Sequence, residues 1–270
     1  MSRSNNSWLI ILLLIAVVAG GGWYYWQQLN QPGAEPTITS AEDPNTDTPP
    51  RVGPIHPLEL SEPSIEDREL VPLPALDDVD AYLRLELISI FGDALDELLA
   101  RETLIDRFVA TIDSLPRSHV AERIRPLGQL SGTFTVDNNS SDDALVLSPV
   151  NFERYTFLVE MIQFADVDST VDTYRRYYPL FQEAYVGLGY PDGYFNDRLI
   201  EVIDHLLETP SPQRPIRLTR PHVLYEYADA ELEALSSGQK LLLRMGDQHA
   251  DALRQALVDF RAHIASDQIR

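Results

Sequence analysis

From Trp8 to Trp26 the chain reads WLIILLLIAVVAGGGWYYW, 19 residues without a charge. A helix of that length, at about 1.5 Å per residue, measures about 28 Å and matches the hydrocarbon core of a bilayer. Trp8 at one end and Trp23, Tyr24, Tyr25 and Trp26 at the other put amphipathic rings at both headgroup levels. Arg3 and the free amino terminus precede the run, whereas Glu35, Glu42, Asp43 and Asp47 follow it. Positive flanks stay in the cytoplasm, so the amino terminus is expected inside and everything after Trp26 outside the cytosol. A cleaved signal peptide is the rival reading, with Ala19 after Val17 and Val18 as a small residue at a cleavage position. The thin charged region and the aromatic girdle favour a retained anchor.

Composition agrees with an exported body. Asp and Glu number 42 against 21 Lys and Arg, a net charge of -21, which repels phosphate backbones and argues against a nucleic-acid partner. Cysteine is absent, which removes disulfides, thiolate metal sites and cysteine nucleophiles and suits an oxidising compartment. The excess acid also has a reading unconnected with any partner, namely solubility at high salt.

Three regions follow: a cytoplasmic tip and anchor over 1–26, an acidic proline-rich linker over 27–72, and a folded domain over 73–270. The linker holds nine acidic and two basic residues and prolines at 32, 36, 44, 49, 50, 54, 57, 63 and 72. Proline removes backbone donors and like charges push a chain outward, so a semi-stiff, disordered spacer is expected, reaching on the order of 100 Å at full stretch.

Helical periodicity dominates the remainder, giving a mostly α fold class with a small β-hairpin. Val79, Tyr82, Leu83, Leu87 and Ile90 share one helical face, as do Leu104, Ile105, Phe108, Val109, Ile112 and Leu115. Ser148 and Pro149 read as cap and first turn of a helix carrying Tyr155, Leu158, Val159 and Ile162 inward. A helix opened by Asp168 or Ser169 presents Val171, Tyr174, Tyr178, Phe181, Tyr185 and Leu188, and stops at Gly187–Gly189. Helices are also expected over 195–207, 239–245 and from Asp247, the last burying Leu253, Leu257, Phe260 and Ile264. Thr133–Val136 with Leu145–Leu147 suggest the hairpin, and Val223–Tyr225 a third short strand.

Each polar motif has a functional and an ordinary structural reading. Ser237-Gly238-Gln239-Lys240 has the S-x-x-K spacing of penicillin-binding proteins, but Lys240 is the only lysine, so no K-T-G strand accompanies it; Ser236 or Ser237 as a helix cap accounts for the same letters. Asp137 to Asp143 is rich in oxygen ligands, yet an EF-hand loop needs glycine sixth and glutamate twelfth, where this chain has Asp142 and Ser148. In the 195–207 helix, Phe195, Leu199, Val202, Ile203 and Leu206 share one side, opposite Asp197, Arg198, Glu201, Asp204, His205 and Glu208. Asp197, Glu201 and His205 are the candidate acid-base residues, Glu201 and His205 being one turn apart; a solvated, ion-paired face is the alternative. No metal site and no cofactor is expected, since H-E-x-x-H and a third ligand are absent. Tyr178, Tyr185, Tyr190 and Tyr194 are the candidate ligand-binding residues, able to line a groove for a peptide or glycan or, more simply, to pack a core.

The runs RFVATIDSLPR (107–117), YPLFQEAYVGLGYPDGYFNDRLIEVIDHLL (178–207) and RPHVLYEYADAELEALSSGQKLLLRMG (220–246) resemble the bacterial envelope family known as domain of unknown function 3014. The resemblance spans roughly 73–265 and implies a single-pass protein of the bacterial inner membrane with its C-terminal domain in the periplasm. It brings no activity and no catalytic residue. Two roles follow as expectations: a membrane-tethered binding or scaffolding module for an envelope protein or cell-wall component, or a periplasmic enzyme acting on wall or small envelope substrates.

Overall fold

The computed structural model describes residues 53–58, 73–139 and 144–265. The expected anchor at 8–26 lies outside them, as does most of the linker. No helix among the described residues is long and apolar enough to cross a membrane.

Nine α-helices and two small antiparallel ribbons make up the described body. In chain order the elements are α1 (Asp80–Phe91), α2 (Leu104–Ser114), β1 (Val136–Asn139), β2 (Ala144–Leu147), α3 (Val150–Glu153), α4 (Thr156–Phe164), α5 (Val167–Gly187), α6 (Phe195–Leu207), β3 (Leu218–Thr219), β4 (Glu226–Tyr227), α7 (Ala230–Glu233), α8 (Ser237–Met245) and α9 (Asp247–Ile264). Helix α9 packs against α4, α5, α6 and α8, while α2 lies against α5 and α6. The strongest apolar stripes explain this arrangement. Leu104, Ile105, Phe108, Val109, Ile112 and Leu115 of α2 and its cap are all buried, as are Leu253, Leu257, Phe260 and Ile264 of α9. Rings link the helices: Phe181 stacks on Phe195 at 5.6 Å, and Tyr174 meets Phe260 edge to face at 5.8 Å. A second, smaller core of Leu147, Ile216, Leu218, Tyr227, Leu232 and Leu243 lies under the two ribbons.

Helix starts follow local chemistry. Asp166 accepts from the Ser169 amide and opens α5, two or three residues ahead of the expected Asp168 or Ser169. Ser236 and Gln239 exchange side-chain and backbone bonds in a capping box, which begins α8 at Ser237 rather than Gln239. Gly246, at φ 79°, separates α8 from α9; Asp247, the expected cap, instead pairs with Arg214.

Several expectations are corrected. Tyr82 is 49% exposed, because the buried row of α1 is Leu83, Leu87 and Phe91, one helical step round from it. Ser148 makes no cap bond, and its helix is two pieces, α3 and α4, although Tyr155, Leu158, Val159 and Ile162 are buried as the pattern requires. Leu188 is exposed, whereas Tyr177 and Leu180 of α5 are buried. The first hairpin strand runs three residues later than its alternating letters suggest, pairing Val136 with Leu147, so that Asp137, Asn138 and Asn139 are strand residues and not part of a hairpin tip. Val223–Tyr225 lies in the turn between β3 and β4, with Glu226 and Tyr227 forming the strand. Pro179 sits inside α5 without ending it; an interior proline costs about 3 kcal/mol, offset here by the burial of Tyr177, Leu180 and Phe181 around it.

Candidate functional site

The first turn of α6 holds a short piece of the chain from far upstream. Residues 53–58, of sequence GPIHPL, lie across this helix end. The Asp197 carboxylate takes the Ile55 amide on Oδ2 and the His56 amide on Oδ1, both at 2.8 Å. Two successive backbone donors on the two oxygens of one carboxylate form a charge-assisted clamp. Next to it Asn196, wholly buried, donates through Nδ2 to the carbonyl of His56 at 2.8 Å and to that of Ile264 at 3.0 Å. Its Oδ1 accepts from the Tyr174 hydroxyl at 3.0 Å. One amide thus ties α5, the end of α9 and the upstream segment together.

Sequence explains the placement. Tyr194 precedes the helix in extended conformation and Phe195 buries its ring on Phe181, so the next two residues, Asn196 and Asp197, emerge at the helix start. Gln182 fixes the entry: its Oε1 accepts the Phe195 amide at 2.9 Å and its Nε2 donates to the Gly193 carbonyl at 2.7 Å. The same Oε1 accepts from the Tyr178 hydroxyl at 3.2 Å. Tyr178 is close enough to Asp197 and Tyr194 to feel both, and burial first, then these neighbours, raise its phenol above the ordinary range. Burial raises Tyr174 still further. In the segment, Pro54 and Pro57 fix two φ angles, and the chain bends at Ile55 and His56 between them. The Ile55 side chain is exposed and Leu58 rests against the core.

The other candidates are distributed elsewhere. Glu201 is exposed and pairs with Arg198 at 2.9 Å. His205 Nε2 lies 2.8 Å from Ser236 Oγ, which is also the cap acceptor of the Gln239 amide. The adjacent amides are committed, that of Ser237 to the Arg117 carbonyl and that of Gly238 to the Leu115 carbonyl, so α8 offers no free donor pair there for an oxyanion. Ser237 Oγ donates to the Arg117 carbonyl at 2.7 Å, and Lys240 pairs with Glu233; the S-x-x-K letters are the residue after the Ser236 cap, tied to the end of α2, and an ion pair. Among the described residues no group of three or more His, Asp or Glu could hold a metal ion.

The tyrosines divide into two groups. Tyr178 and Tyr194 flank the clamp, whereas Tyr185 stacks on Tyr190 at 4.7 Å around a different buried acid, Asp113. Asp113 accepts from Arg198 Nε at 3.0 Å, Arg117 at 2.6 Å and the Tyr190 hydroxyl at 3.3 Å, joining α2 to α6. Burial pushes the Tyr185 phenol up to about 12. The polar side of α6 is therefore largely engaged: Asp197 by the upstream segment, Arg198 by Asp113, His205 by Ser236, and Asp204 by Arg261 at 2.6 Å. Sequence reasoning missed Asn196, Gln182 and Asp113 as polar centres. The one signal for the segment was an apolar, proline-bracketed island, Pro54 to Leu58, within acidic surroundings.

Fold and site together define a mostly helical module with a small β element, holding one short, bent peptide segment at a helix start. The chain belongs to the family described as protein of unknown function (DUF3014), whose model matches residues 104–261. That span contains α6 and its clamp and omits α1 and the segment 53–58. No curated protein and no solved structure matches the chain.

Proposed function

We propose that the protein is a single-pass module of the bacterial inner membrane whose periplasmic domain binds, and so scaffolds, another envelope component through a short peptide segment. The observation that carries the binding role is the clamp of Asp197 on two successive amides of residues 55 and 56, a grip on backbone donors. The uncharged run 8–26 with its aromatic ends supports the anchor, and the acidic, cysteine-free composition supports an exported body.

Two measurements on the full chain in cells test this. Alkaline phosphatase fused after Arg270 is expected to be active, and a fluorescent protein that matures only in the cytosol is expected to stay dark; the opposite pattern overturns the membrane orientation. A photoreactive residue in place of Tyr194 is expected to crosslink to an envelope protein in a manner lost on Asp197→Ala. Crosslinks indifferent to that substitution overturn the binding role.

A further inference from the structure

We infer that residues 53–58 are an internal ligand, occupying the site at the start of α6 that a partner's bent, proline-bracketed segment takes when it displaces them. The inference rests on the binding role above and concerns how the site is regulated.

The segment's contacts are those of a bound peptide. It is tied to the body through 14 intervening residues, 59–72, and reaches α6 some 140 positions away in sequence. Three of its polar contacts with α6 use main-chain atoms: two amides to Asp197 and one carbonyl to Asn196. A different chain with two consecutive amides and the next carbonyl in the same register meets the same three groups. Prolines on both sides of the amide pair lower the entropy lost on docking, and they define the chemistry of a competitor: Pro, then two residues with free amides, then Pro and an apolar residue. The apolar residue corresponds to Leu58, which rests on the core. The Ile55 side chain points to solvent, leaving that position open to variation.

Covalent attachment sets the strength of self-occupancy. A short connection holds a cis ligand at an effective concentration on the order of 1 mM. A peptide whose affinity for the empty site is about 0.1 mM is then weakened roughly tenfold by the resident segment.

The test uses the full chain in detergent micelles and a fluorescent peptide of the sequence GPIHPL, read by anisotropy. Replacing Ile55→Pro together with His56→Pro removes both clamped amides and touches no residue of the core. Peptide affinity is expected to be about tenfold higher for this double variant than for the unmodified chain, and to be lost when Asp197→Ala is added. Equal affinity for the unmodified chain and the double variant overturns the internal-ligand inference while leaving the peptide-binding role intact. No binding to either overturns both. Concentration-dependent dimers that the double variant fails to form would show the segment seated on a second copy, and would overturn occupancy in cis.

Discussion

Asp80 and Asp197 use the same chemistry for different ends. Asp80, opening α1, receives the amides of Thr103 at 2.5 Å and Leu104 at 2.8 Å, which holds Thr103 at a positive φ of 55° and starts α2. Asp197 does this for a peptide that is not part of any helix. Hydrogen bonds to a charged acceptor are worth about 1.5–3 kcal/mol each when shielded, less where water competes. Asp197→Ala is therefore expected to raise amide exchange at Ile55 and His56 by tenfold or more while moving the melting temperature by no more than about 3 °C; hydrogen-exchange mass spectrometry reads the first and calorimetry the second. Unchanged exchange at these two amides would remove the clamp from the account. Gly246 is the contrasting case, essential for shape alone. At φ 79° an added Cβ meets Phe152 Cδ2 at 2.6 Å, and Phe152 is packed beneath the ribbons. Gly246→Ala is expected to cost about 3 kcal/mol, a fall of roughly 6–12 °C in a thermal melt.

At the scale of elements, α2 and α6 are joined by apolar faces and by Asp113. Removing this buried carboxylate leaves Arg198, only 19% exposed in its side chain, with the exposed Glu201 as its remaining acid. Asp113→Ala is expected to destabilise by about 3–5 kcal/mol, measured by urea unfolding, and a paired Asp113→Leu, Arg198→Met variant to recover part of the loss. Full stability in the single variant would reduce this network to decoration. These elements also show what a sequence reveals. Helices α2, α6 and α9 were legible because their apolar stripes repeat over three or more turns, and α6 was bounded correctly at both ends. The hairpin slipped because Thr133–Val136 alternates whereas the true strand, Val-Asp-Asn-Asn, does not, and its register is selected by Val136 and Leu147 at the smaller core. The break between α3 and α4 left no periodic trace, since all four inward residues stay inward. The site was half legible. Asp197 stood out as a charge, but its partner is a segment 141 positions earlier, and no local pattern encodes such a pairing.

At the scale of the molecule, the tyrosines set an alkaline limit. Burial raises the phenols of Tyr155, Tyr174, Tyr177, Tyr178, Tyr185 and Tyr227, Tyr185 to about 12. An unfolded chain ionises them near pH 10. Between pH 10 and 12 the folded state therefore retains protons the unfolded state has released, so stability is full below pH 10 and falls as pH rises through that window. Arg125, which burial lowers to about 10, acts in the opposite sense, but it is one group against six. A melting temperature that drops steeply from pH 10 to 11.5, with tyrosinate absorbance at 295 nm appearing alongside unfolding, is the expected result; early absorbance in a still-folded protein would contradict the burial.

The seating of residues 53–58 also determines where a mechanical load enters the body. Tension applied upstream of Gly53 arrives first at Asn196 and Asp197, and from Asn196 it passes to Tyr174 and to the final turn of α9, bypassing Leu73 and α1. If that grip shears, the 14 residues from 59 to 72 are added to the reach, up to about 45 Å at roughly 3.3 Å per residue. The clasp is in this sense a length stop.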